Sequence, residues 1–411
     1  METQPRTDEG PAGRPATPAD VPPRTRAPLK GPAHVAHEGF IRRLGYPPAA
    51  IAMAPGRVNI IGEHTDYNAG LCLPMALTQA TAAAASPRED DELRIWSLDI
   101  DRHASIALSD VAPGKPRGWS GYVAGTLWAL REAGFPVGGM EIVIASEVPV
   151  GAGLSSSAAI EGAVAVAATA LFGLGLLDDD AGRRVLALAC RRAENEIVGA
   201  PTGGLDQTAS LLARAGHALR LDFRDDSVAH VPFDLAGHEI LVIDTRAHHS
   251  LADGQYGKRR TECEEAARLL GVESLREVSP AEVEALTDPV LRRRARHVVS
   301  ENARVEAAVA ALERHDLHEL GLLMTASHHS LRVDYEVSCA ELDVACTAAL
   351  SVGALGARMT GGGFGGSAIA LIETAARVAT EAAVRRAFAQ HGFGEPNLFV
   401  ATPGPGARVL A

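Results

Sequence analysis

The stretch from Met140 to Leu171 constrains this chain more than any other. Met140–Val148 reads MEIVIASEV, an Ile- and Val-rich run of strand length that Pro149, Val150 and Gly151 close. Ala158–Leu171 is dominated by Ala, Val and Ile with Glu161 in its first turn, which predicts a helix. Between them lies Gly151-Ala152-Gly153-Leu154-Ser155-Ser156-Ser157. Glycines let a backbone wrap closely around an anion, and the free N–H groups at the start of the following helix attract it. The three serines add hydroxyl donors, or an oxygen ligand for Mg²⁺. The loop is not a Walker A sequence, because no Gly-Lys-Ser/Thr follows, and Ser156 stands where a dinucleotide fingerprint needs its third glycine. A plain serine-capped turn would carry the same residues; the strand before and the helix after favour a phosphate loop.

Three further clusters carry candidate chemistry. Met359–Ser367 (MTGGGFGGS) contains a G-x-G-x-x-G match, yet a strand-like run follows it where a dinucleotide site needs a helix. It reads as a glycine hairpin, either purely structural or backing onto a ligand. Gly56–Tyr67 (GRVNIIGEHTDY) packs Arg57, Glu63, His64 and Asp66 beside a short apolar run. Converging carboxylates and an imidazole suit a polyhydroxy ligand, since each carboxylate accepts from two hydroxyls; a solvated charged turn is the alternative. Asp206 is a lone acid in the Gly-flanked run Gly203-Gly204-Leu205-Asp206-Gln207, with Glu194 upstream. The histidine pairs His248-His249, His315 with His318, and His328-His329 lack a third ligand at metal spacing, so they are read as non-metal.

Composition narrows the partners. With 39 Lys+Arg against 51 Asp+Glu the net charge is −12, which disfavours nucleic acid and anionic membrane surfaces. No apolar stretch reaches the roughly 18–20 residues of a membrane span. Five scattered cysteines without a C-x-x-C pair fit a reducing, cytoplasmic setting. Residues 1–30, with seven prolines and no apolar signal-peptide core, are expected to be a disordered tail, and folding is expected to begin near His34. Strand-like runs at Ala218–Phe223, Val228–Phe233 and Glu239–Ile243 precede a charged helical region from Gly257 to about Leu350, broken near Gly271 and Pro289. Strand (Ser367–Leu371), helix (Ala375–Gln390) and strand (Leu398–Ala401) end the pattern. A lobe boundary is placed near residue 212, giving an N-terminal lobe over 31–212 and a C-terminal lobe over 213–411.

Together these blocks resemble the galactokinase family, within the GHMP small-molecule kinases, over nearly the whole chain from about residue 34. The serine loop and the Gly361–Ser367 hairpin mark the wider group. The stretch GRVNIIGEHTDYN (Gly56–Asn68) is the more specific signature, as is His249-Ser250-Leu251 followed by Gln255-Tyr256 and Arg259-Arg260-Thr-Glu-Cys263-Glu264. The resemblance implies an α+β, two-lobed fold: an N-terminal mixed-sheet lobe, a ferredoxin-like C-terminal lobe, and the active site between them. It implies ATP-dependent phosphorylation of D-galactose at the C1 hydroxyl, giving galactose 1-phosphate and ADP, with Mg²⁺ as cofactor; a monomer is expected, with an oligomer as the alternative. Glu63, His64 and Asp66 would hold sugar hydroxyls, and Tyr256 would contact the sugar from the second lobe. Residues Gly151, Ala152, Gly153, Leu154, Ser155, Ser156 and Ser157 would cradle the ATP phosphates, with Ser157 and Glu194 facing Mg²⁺. Asp206 would be the catalytic base, with Arg57 stabilising the transition state. One departure falls at Ala200-Pro-Thr-Gly-Gly204-Leu205, where the family usually shows Cys-Gly-Ile-Met; it bears on the shape of the sugar pocket. A kinase for another sugar and a non-catalytic sugar sensor are the competing readings. The complete serine loop together with Arg57, Glu194 and Asp206 argues against the sensor.

Overall fold

The computed structural model describes residues 29–248 and 254–411. The described residues begin with helix α1 (Gly31–Leu44), which Pro32 starts and a left-handed Gly45 ends. Its buried Ala33, Ala36 and Phe40 recur at helical spacing. The strands β1 (Ala50–Asn59), β2 (Leu71–Cys72), β3 (Pro74–Pro87), β4 (Glu92–Ser97) and β5 (Arg102–Ala107) follow, then α2 (Ser120–Glu132), β6 (Met140–Ser146) and α3 (Ser156–Phe172). Next come α4 (Asp180–Arg192), which continues into a π-helical turn at Ala193–Val198, and α5 (Leu205–Leu212).

The rest of the chain supplies β7 (His217–Asp222), β8 (Ser227–Pro232), β9 (His238–His248), α6 (Gln255–Leu270), α7 (Pro280–Val283), α8 (Pro289–Glu313), α9 (Leu317–Val333) and α10 (Ala340–Leu350). It closes with β10 (Gly356–Thr360), β11 (Gly365–Glu373), α11 (Arg377–His391), β12 (Asn397–Ala401) and β13 (Arg408–Val409). The expected helical breaks coincide with a left-handed Gly271 that ends α6 and with Pro289, which starts α8 behind an Asp288 cap. A further break near residue 316 is set by Asp316, whose side chain caps α9 by accepting from the Glu319 amide.

One sheet has the order β13-β1-β3-β6-β4-β5, antiparallel except for the β4–β6 pair. Strand β3 is rich in alanine, a helix former, and is a strand because both its neighbours claim its backbone. Its small side chains let α1 pack on one face through Ala82 and Ala84 and the α3 side of the core pack on the other through Ala83 and Ala85. The second sheet is antiparallel, in the order β10-β11-β9-β12, with α6, α8 and α10 contributing to the core over it. A shared apolar cluster joins the halves: Val58, Ile60, Leu71 and Leu154 pack with Val242, Val305, Ile369 and Leu371. The hairpin β7–β8 pairs with β2, and β13 returns to the edge of β1, so the chain crosses the region near residue 212 more than once.

Candidate active site

The site forms where the end of β1, the serine loop, the start of α5 and the β10–β11 hairpin meet. Strand β1 shifts register between Pro55 and Arg57, and the Arg57 amide donates to the Leu154 carbonyl at 3.0 Å. The buried Arg57 guanidinium then spans two segments. Its Nε and Nη2 lie 2.9 and 2.7 Å from Asp206 Oδ1, and its Nη1 donates to the Gly153 carbonyl at 2.5 Å. Asp206 is the second residue of α5 and keeps about a quarter of its side chain exposed, 24% against 7% for Arg57. One carboxylate oxygen is thus fixed by a cation while the group still faces the cavity.

The serine loop turns through left-handed backbone at Gly151, Gly153 and Ser155. Ser155 stands at the N-cap of α3 without capping it, and its buried Oγ has no protein partner. An orphaned hydroxyl beside the free N–H groups of a helix start is a donor set for an anion. Ala152 and Leu154 contribute backbone: the Ala152 carbonyl accepts from Ser367 Oγ at 2.7 Å, while the Leu154 side chain lies in the shared core. Gly151 is exposed and Ser156 half-buried at the loop's rim. Ser157 lies beside Glu194, whose carboxyl is pushed up to about 7, first by burial and then by the nearby Asp206 charge. Among the described residues no group of three or more His, Cys, Asp or Glu could hold a metal ion. A hydroxyl and a carboxylate are hard oxygen donors, and the raised carboxyl would be relieved by a cation; both fit Mg²⁺, which keeps waters and phosphate oxygens as its other ligands.

Glu63, His64, Asp66 and Tyr256 line one cavity with Arg57, Asn59, Thr202, Asp206, Gly361 and Gly362. Glu63 is almost wholly buried and committed to protein partners: Oε2 accepts from Asn59 and forms an ion pair with Arg358 at 3.1 Å, while Oε1 accepts from the Gly361 amide at 2.7 Å and Thr360 Oγ1 at 3.2 Å. Burial nevertheless pushes its carboxyl above the usual range, against the pull of Arg358. His64, in left-handed backbone, has both ring nitrogens engaged, Nε2 with the Gly362 carbonyl at 3.2 Å and Nδ1 with Tyr67 Oη at 2.8 Å. Since a carbonyl only accepts, Nε2 carries the proton and Tyr67 donates to Nδ1. Tyr67 therefore accepts from Tyr335, at 2.9 Å. Burial drives His64 down to about 3, so the ring is neutral.

Asp66 is the acid with the freer face. Burial, and after it the Asp206 charge, raise its carboxyl to about 6. Gly203 makes room for it: a side-chain carbon there would fall 2.3 Å from Asp66 Cγ. The departure at 200–205 is thus where the chain wraps the Asp66 carboxyl. Tyr256, in the first turn of α6, packs tilted against His64 and edge-on to Tyr67, with centroids 5.2 and 5.3 Å apart, and fills the space a side chain at Gly362 would meet. His249, Ser250 and Leu251 lie outside the described residues.

Sequence reading missed the supports. Arg358, fully buried, holds Glu63 and the carbonyls of Asn59 and Ile60, each at 3.0 Å. Tyr335 extends the Tyr67 chain to Cys263 at 3.0 Å, and Arg259 grips the Tyr335 carbonyl at 2.6 Å. Asn59 and Tyr67 sat inside a quoted motif and could have been found there. Arg358 lies hundreds of positions from Asn59 and Ile60, and Tyr335 from Tyr67, with no local signal.

Comparison with known proteins identifies the family. Residues 38–87 match the family model for the galactokinase galactose-binding signature, and residues 121–214 and 308–390 match the N- and C-terminal models of the GHMP kinases. A galactokinase of Streptomyces coelicolor is 50% identical over 381 residues, covering 91% of this chain and 97% of the relative. Human galactokinase is 43% identical over 387 residues, with 91% and 96% covered. The crystal structure of Lactococcus lactis galactokinase complexed with galactose superposes with a TM-score of 0.85 at 34% identity, covering 90% of this chain and 98% of that one. Mevalonate kinase, at 17% identity and a TM-score of 0.59, shares the fold.

Proposed function

This chain belongs to the galactokinase family of GHMP kinases and phosphorylates galactose with ATP; from that premise we propose that Asp206 is the base and the C1 hydroxyl the acceptor. The observation that carries the reading is the Arg57 guanidinium, which ties the Asp206 carboxylate to the Gly153 carbonyl of the serine loop. A hydroxyl facing Asp206 is thereby brought beside the loop that cradles the phosphates.

Phosphoryl transfer is mainly positioning and charge neutralisation. Asp66 accepts from sugar hydroxyls, with Tyr256 walling the ring. Glu63 and His64, engaged by the hairpin at Gly361 and Gly362, hold the shape of that wall and contribute what hydrogen-bonding capacity remains. Asp206 orients the C1 hydroxyl in line with the γ-phosphate and takes its proton late, as a loose transition state allows. Arg57 offsets charge developing on the transferred group. Residues Gly151–Ser157 bind the phosphates through backbone N–H groups and the Ser155 hydroxyl. Ser157 and Glu194 would hold Mg²⁺, which when bound neutralises phosphate charge. Its five cysteines are free, four of them buried, which suits a reducing cytoplasm, and no helix among the described residues is long and apolar enough to cross a membrane.

The test is ADP release from Mg-ATP against galactose, N-acetylgalactosamine, glucose and arabinose, with mevalonate as control. Turnover greatest on galactose supports the reading. A preference for another sugar would place the difference in the 202–205 turn around Asp66, and binding without turnover would replace the enzyme by a sensor.

A further inference from the structure

Glu161 is fully buried on α3, one turn beyond Ser157, and nothing in the catalytic scheme uses it. A carboxyl in such a place costs free energy that a leucine would not, so its retention needs a reason. Its one protein hydrogen bond comes from Gln207 Nε2 at 3.1 Å, and the same nitrogen donates to Glu194 Oε2. An amide NH₂ has two protons, and here each is given to a different carboxyl group. Gln207 itself follows Asp206 directly on α5 and is fully buried. Glu161 Oε1 and Gln207 Oε1 are both buried without a protein partner.

We propose that Glu161 and Gln207 are positioning residues: Glu161 fixes the Gln207 amide, and that amide sets the carboxylate of Glu194 toward Ser157. The inference rests on the reading of Ser157 and Glu194 as the metal-facing pair. Glu161 sits in the second layer, as the partners that orient metal ligands commonly do. Glu161 acts on Gln207 through a single accepting oxygen, Oε2. An amide of the same shape can therefore replace it, whereas an alkyl group cannot.

The experiment is calorimetric titration of ADP, with and without Mg²⁺, into the full chain and into Glu161→Gln, Glu161→Leu, Gln207→Leu and Glu194→Ala, each checked by thermal melting. The quantity read is the gain in ADP affinity that Mg²⁺ brings. Glu161→Leu and Gln207→Leu should lose ~10- to 100-fold of that gain, as for other supports of metal ligands, with metal-free ADP affinity and galactose affinity unchanged. Glu161→Gln should keep it. The proposal is overturned if Glu161→Leu keeps the gain, or if Glu161→Gln loses as much as Glu161→Leu. Should Glu161→Leu fail to fold, a retained gain in Gln207→Leu overturns it alone. If Glu194→Ala also keeps the gain, the metal reading itself fails; if only Glu194→Ala loses it, the positioning inference fails and the metal reading stands.

Discussion

Arg57 concentrates three connections in one guanidinium, and a planar fork is what allows them. Lysine offers a point charge on a flexible stem, so Arg57→Lys should lower kcat by ~10²–10³ while the galactose KM changes little; steady-state kinetics check it. Asp66 gives a pH prediction. With its carboxyl raised to about 6, it becomes an ionised acceptor only above that pH, so the galactose KM should climb as pH falls through 6, and Asp66→Asn should remove the inflection. The sign for stability is opposite. A raised folded-state pKa favours the protonated fold, fully so below the unfolded value near 3.8, and that support is lost as pH rises through 6. Asp66→Asn should accordingly melt higher than the parent at neutral pH, with the difference shrinking from pH 6 down to 4. Arg57 and Asp66 were legible in one short, chemically dense motif, whereas Asp206, a lone acid among glycines and apolar residues, stood out only through the family resemblance. The engaged states of Glu63 and His64 were not, because their partners Arg358, Gly361 and Gly362 come from the far end of the chain.

At the scale of elements, the serine loop and the glycine hairpin are built against one another. A side-chain carbon at Gly361, where φ is 84°, would fall 2.8 Å from the Gly153 carbonyl, so the two backbones approach closely there, and Ser367 Oγ donates across to the Ala152 carbonyl. Gly361→Val should therefore raise the KM for ATP and for galactose together, because it displaces both the phosphate loop and the Gly361 amide that Glu63 accepts from. A change confined to one substrate would contradict the coupling. The strand–loop–helix unit from β6 to α3 was readable because its residues are contiguous and periodic. Strand β3 was harder: its alanines have weak strand preference, and only pairing with β1 and β6 makes it extended. Helix α2 and the edge strand β13 carry too little local pattern to be read before the sheet exists.

Across the whole molecule, the two sheets share the apolar cluster around Val58, Leu154, Val242 and Ile369, and polar cross-links such as Arg358 to Glu63 run through it. The last residues take part as well: β13 pairs with β1, and Ile51 donates to the Ala411 carbonyl at 2.7 Å. Since β1 carries Arg57 near its end, deleting residues 407–411 should lower the melting temperature and reduce kcat through a slackened Arg57, more than an equal change on the exposed β5 edge. The central claim remains that Asp206 accepts the proton of the galactose hydroxyl. Steady-state ADP release by Asp206→Ala, alongside calorimetric galactose binding, tests it most directly. The account predicts a fall in kcat of at least ~10²–10⁴-fold with galactose still bound; a variant turning over within about tenfold of the parent would contradict it.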